Sequence, residues 1–217
     1  MKRLFAVAGA MIVLALPAVS VGQAAGDHSH GSADRARTQK ALAFHDDMRK
    51  LWEDHITWTR LAIVSFSAGL PDFDQTAGRL LRNQDDIGNA IKPYYGRRAG
   101  NQLTALLKEH IGGAVALLMA AKGGDDTAFA SAKRAWYANG REIARFLNAA
   151  SPRFLPLAAV RRLMRGHLDQ TLVEAGHVLG GDHAAGIRDY DLVHRHILMM
   201  ADAISDAIIR QFPARFR

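Results

Sequence analysis

From about Thr38 to Gln211 the apolar residues recur every three or four positions, and no stretch alternates as a strand would, so this chain has to fold as packed helices. Turn residues cut that pattern into six predicted helices. Ala68-Gly69-Leu70-Pro71-Asp72 closes the first and caps the second, and Pro93 stops the second. The third runs from near Arg98 to Gly123-Gly124, and Asp125 or Asp126 caps a fourth that reaches about Ala149. Ser151-Pro152 and Pro156 make the next break. A fifth helix spans roughly Leu157 to Leu179, and a sixth runs from Asp182 to about Gln211 after Gly180-Gly181. The expected fold class is all-α, a six-helix bundle.

The six helices read as three related hairpins, over about residues 37–93, 97–149 and 156–211 of a single domain. Leu51-Trp52-Glu53-Asp54-His55-Ile56 aligns with Leu106-Leu107-Lys108-Glu109-His110-Ile111 and with Leu163-Met164-Arg165-Gly166-His167-Leu168. In each, a leucine stands four before the histidine and a branched aliphatic follows it. Asn83-Gln84-Asp85-Asp86-Ile87 resembles Asn139-Gly140-Arg141-Glu142-Ile143, and His194 or His196 falls in the equivalent region of the third unit.

Ahead of the helices, Lys2 and Arg3 precede an almost wholly apolar run from Leu4 to Val21, followed by Gly22, Ala24 and Ala25. That order is a signal peptide over residues 1–25, cleaved near Ala24 or Ala25, and it predicts a periplasmic or secreted protein. If uncleaved, the segment would be the chain's one membrane contact. Residues 26–36 are polar, with His28 and His30, and are expected to be a disordered lead-in. The chain has no cysteine, which excludes disulfides, thiolate metal sites, cysteine nucleophiles and a lipid-anchored cysteine. About 190 residues remain after processing, enough for one core. The net charge of +7 is spread over helix faces such as Arg161, Arg162 and Arg165, and an exported protein has no nucleic acid to meet, so the charge reads as solubility.

Helix faces place polar groups inside. The stripe Ala41, His45, Met48, Trp52, His55, Thr59, Ala62, Phe66 steps by three and four, with His55 in its middle. His110 and His167 interrupt the corresponding stripes of the third and fifth helices. The partner helices carry Asn83 with Asp86 beside it, Asn139 with Glu142 beside it, and His194 with Asp191 three residues before it. His196, about 200° round from His194, is expected to face out. Buried polar groups need partners, since each unsatisfied one costs roughly 1–3 kcal/mol.

Two arrangements satisfy such a layer. One is a hydrogen-bonded network that fixes helix register without a ligand. The other is a transition-metal site, with His55, His110, His167 and His194 as ligands, Asp86, Glu142 and Asp191 as further ligands or imidazole orienters, and Asn83, Asn139, Trp52 and Thr59 holding the network. Histidine with carboxylate and no thiolate suits iron, copper, zinc or manganese. The Glu-x-x-His pair of a di-iron bundle is missing. A third arrangement makes His55 a general base partnered by Asp86 or Glu142, in an enzyme acting on cell-envelope material. His196, Met199 and Met200, read as one face, would suit copper(I).

Two segments carry a resemblance: Leu51-Trp52-Glu53-Asp54-His55-Ile56-Thr57-Trp58-Thr59-Arg60, and Asn83 through Gly96 with its Lys92-Pro93-Tyr94-Tyr95 centre. With Asp191 to Met200 and Gln211-Phe212-Pro213, they resemble a widespread group of uncharacterised bacterial exported helical proteins. The resemblance implies export and a helical fold over nearly the whole mature chain, and it carries no activity to transfer.

Overall fold

The structure, a computed structural model, describes residues 28–217, with side chains from residue 38 onward. The described residues form helices α1 (His28–Ala68), α2 (Phe73–Gly123), α3 (Asp126–Ala150), α4 (Leu157–Leu179) and α5 (His183–Gln211), then a 3-10 turn at Pro213–Phe216. The protein is all-helical. The signal segment expected at residues 1–25 lies outside the described residues.

Five α-helices form rather than six, because the predicted second and third run together as α2. Pro93 lies inside α2, and the helical dihedrals break instead at Gly96 (φ 83°, ψ 167°). A proline forfeits its own N–H bond, whereas a left-handed glycine reverses the chain at little steric cost. The two halves of α2 then lie against each other. Thr104 Oγ1 donates to Gln84 O at 3.3 Å, and Lys108 pairs with Asp85 at 2.8 Å. A Cβ on Gly88 would run into the Thr104 side chain and stand 2.7 Å from Gly100 O, so the approach needs glycine at that position. The N-terminus also differs from expectation. α1 begins at His28, so most of the predicted lead-in is helical; once a helix is nucleated, each further residue adds a hydrogen bond for little cost.

The helices pack in a closed ring in chain order, α1 on α2, α2 on α3, α3 on α4, α4 on α5, and α5 back on α1. One end of the bundle carries the turns at Gly69, Gly124 and Gly181, all with positive φ. There Asp125 accepts from Ala128 N at 2.8 Å and Asp182 from Ala185 N at 2.9 Å, capping α3 and α5 as helix N-termini require. At the other end Phe44, Tyr94 and Phe216 meet ring to ring, with centroids 5.0–5.6 Å apart. Met48, Ile56, Ile87, Leu103, Ile143, Leu168, Ile197, Met200 and Ile208 fill the middle and are fully buried. Each such side chain contributes roughly 1.5–3 kcal/mol. A smaller apolar cluster of Ile63, Leu118, Ala175 and Val178 is separate from this core.

Candidate functional site: a buried imidazole layer

His55 on α1, His110 on α2 and His167 on α4 converge inside the ring. Their exposures are 2 %, 3 % and 3 %. The His167 ring centroid lies 5.9 Å from that of His55 and 5.9 Å from that of His110. Trp52 meets His55 edge-on at 5.7 Å, and Trp136 stacks on His110 at 5.1 Å while its Nε1 donates to His110 O at 3.0 Å. Thr59 Oγ1 donates to His55 O at 2.7 Å, and Thr171 Oγ1 donates to His167 O at 2.9 Å. Those two hydroxyls are thereby tied to their own helices rather than offered to the layer.

The neighbouring helical segments contribute one polar side chain each, and all three make the same kind of bond. Asn83 Nδ2 donates to Leu51 O at 3.0 Å, Asn139 Nδ2 to Leu106 O at 3.1 Å, and His196 Nε2 to Leu163 O at 2.8 Å. The paired residues are 32, 33 and 33 apart in sequence, and each acceptor carbonyl lies four residues before a layer histidine. Asn139 also faces His110, whose Nδ1 lies 3.2 Å from Asn139 Oδ1. Because Asn139 Nδ2 is already donating, the amide oxygen accepts, which puts the His110 proton on Nδ1 and leaves Nε2 bare.

Burial decides the charge state. It pulls His55 down to about 4, partly opposed by Gln84. Burial pulls His110 to about 3, with repulsion from His55 adding and Asn139 opposing. His167 falls well below the usual histidine range, through burial and then the neighbouring His55, His110 and His196. All three imidazoles are therefore neutral at pH 7, the form that binds metals. Several polar atoms around them find no hydrogen-bond partner: Trp52 Nε1, His55 Nδ1, His167 Nδ1 and Gln84 Oε1. Gln84 approaches His55 as a hydrogen-bonding side chain and so opposes the fall of its pKa, while Gln84 Oε1 and His55 Nδ1 each lack a partner of normal geometry.

Other expected members stand elsewhere. His194 is on the outer surface, its Nε2 3.0 Å from Glu53 Oε1. Asp86 is half exposed, 3.8 Å from Arg79, and Glu142 is exposed and paired with Arg145. Asp191 is exposed. Asp86 and Glu142 lie one step beside the apolar stripes, and that step is enough to turn them into solvent, while Asp191, three residues before His194, is turned outward with it. Neither Asp86 nor Glu142, the two acids considered as partners of His55, therefore stands inside the layer with it. His196 takes the inner position expected of His194, because α5 buries Val193, Ile197, Met200, Ala201 and Ile204 rather than a face through Ile187, which is 57 % exposed. The signal for His196 was present: it follows Asn139 by 57 residues as Asn139 follows Asn83 by 56. Met199 is exposed and Met200 buried, so no His196-Met-Met face exists.

Two features had no sequence signal. Glu174 is fully buried, with Oε1 3.1 Å from Arg60 Nη1 and Oε2 unpartnered. Burial raises its carboxyl to about 7 against the pull of Arg60. An apolar pocket of about 200 Å³ also opens between the layer and the glycine-turn end, lined by Thr59, Ala114, Thr171, Trp136, Phe73 and Phe129 among others. Thr59, Ala114 and Thr171 each follow a layer histidine by four residues, so the pocket begins one helical turn from the imidazoles.

Among the described residues, no three histidine, aspartate or glutamate side chains already stand as a cage that could hold a metal ion. Two imidazoles sharing a tetrahedral ion at nitrogen distances of ~2.0–2.1 Å have centroids about 5 Å apart. The observed separations would have to close by about 1 Å on that geometry. Comparison with protein families, curated proteins and solved structures finds no match for this chain.

Proposed function

We propose that this is an exported protein that binds one transition-metal ion between His55, His110 and His167. The observation that carries the reading is the meeting of three neutral imidazoles in a layer where His55 Nδ1 and His167 Nδ1 have no partner. Orphaned buried nitrogens cost about 1–3 kcal/mol each, and coordination would satisfy them. Asn139 plays the orienting part usual beside a metal-bound imidazole. With the carboxylates outside the layer, the donors are imidazole alone, which favours copper or zinc over manganese. We also read the chain as three related hairpins, each giving one layer histidine and one residue that holds its partner's backbone. The three bonds from Asn83, Asn139 and His196 support this.

A metal-free layer that only fixes helix register is the competing reading, and the lack of a preformed cage favours it. Elemental analysis of the untagged mature protein, isolated from its export compartment, decides between them. One equivalent of copper or zinc, lost in His110→Ala and His55→Ala and kept in His194→Ala, is the expected result. No metal in the wild type, and no thermal shift when each ion is added back, would leave the layer as architecture.

A further inference from the structure

The pocket beside the layer has no part in holding an ion, and its chemistry is distinct. Its walls come from the turn-end halves of α1, α2 and α4 with the starts of α2 and α3, and they are almost wholly carbon: Ala62, Ile63, Leu80, Leu118, Ala175 and Leu179 besides the three rings. The polar side chains in the wall are Thr59 and Thr171, and both hydroxyls donate to backbone carbonyls of their own helices. A charged ligand would therefore lose its hydration and find no counter-charge in the wall. Nor does the space suit water, which needs two to four polar partners to stay in a cavity.

Size narrows the occupant. Native cores leave few voids larger than a water molecule, whereas this space measures about 200 Å³. An apolar cavity of roughly 150 Å³ takes up benzene, so the volume here suits a single substituted ring. Phe73, Phe129 and Trp136 supply faces and edges for such a ring to pack on. Trp136 also stacks on His110, so it touches the occupant on one side and the imidazole layer on the other.

We propose that this pocket is a binding site for one small uncharged aromatic molecule, about the size of a singly substituted benzene. The site needs no metal ion, so it stands or falls separately from the metal reading.

Toluene is the probe, titrated into the full-length mature protein after chelator treatment, with melting temperature and tryptophan fluorescence as readouts. A saturable rise in melting temperature is expected, with a dissociation constant of about 1 mM or below, and benzoate should bind at least about tenfold more weakly. Ala114→Phe and, separately, Ala175→Leu put side-chain carbon into the space. Each should abolish the toluene response while the variant still melts cooperatively, and the second serves if the first does not fold. An unchanged wild-type melting temperature up to the solubility limit of toluene would overturn the proposal. So would equal binding of benzoate, or a toluene response undiminished in a folded filled variant.

Discussion

Acidification from pH 7 to pH 5 should remove a large part of this protein's stability, and the structure sets both sign and size. Each layer histidine has a folded-state pKa below its unfolded value of 6.5: His55 about 4, His110 about 3, and His167 well below the usual histidine range. Above 6.5 both folded and unfolded forms are neutral and nothing is lost. As the pH falls below 6.5 the unfolded chain takes up protons that the folded layer refuses, so stability drops until the folded pKa values are reached. Down to pH 5 that is about 2 kcal/mol for each of His55 and His110, about 4 together, and His167 adds to the loss in the same direction. Glu174 acts the other way. Its folded pKa of about 7 lies above the unfolded 4.5, so its contribution is largest at low pH and fades as the pH rises toward 7. On acidification it returns about 2 kcal/mol, leaving a net loss of at least about 2. A domain of this kind has about 5–15 kcal/mol in all.

Urea unfolding of chelator-treated protein, followed by helical circular dichroism at half-unit pH steps, measures this directly. With a slope of about 2 kcal/mol per molar urea, the midpoint should fall by at least about 1 M between pH 7 and pH 5. Glu174→Gln should make the fall steeper, because the opposing proton is gone. A midpoint that stays within about 0.5 M over this range would refute the reasoning, since it would mean the imidazoles are hydrated and free to protonate in the folded state.

Mutations separate layer from surface. Asn139→Ala leaves the Leu106 carbonyl and His110 Nδ1 without partners and should cost about 1–3 kcal/mol, while His194→Ala removes a surface pair with Glu53 and a ring contact with Tyr190 and should cost less than about 1 kcal/mol, both read by urea melts at pH 7.5. At the fold of α2, Gly100→Ala would put a Cβ 2.5 Å from the backbone oxygen of Gly88; a loss above about 1 kcal/mol in the same assay is expected, and an unaffected variant would show that the two halves of α2 do not pack so closely.

Much of this architecture was written in the sequence itself. The three-to-four spacing leaves helices as the one way to bury the apolar residues, and Asp125, one of the two aspartates offered as a cap after Gly123-Gly124, does cap α3. The inward turn of His55, His110, His167, Asn83 and Asn139 was also legible, since each lies inside an apolar stripe and a helix cannot bury the stripe without them. Tertiary packing decided the rest. A helix presents a neighbouring residue 100° away, so whether Asp86, Glu142 or Asp191 reaches the interior depends on how far each helix is rotated against its neighbours, which its own sequence leaves open by one residue. That rotation turned His194 outward and His196 inward. Gly96 was likewise outranked in the sequence by Pro93, and only the seating of Gly88 against Gly100 shows where the chain reverses. Burial of Glu174 and the empty volume next to the imidazoles are properties of several helices together. No single stripe encodes them, because a pocket is the space that several surfaces fail to fill.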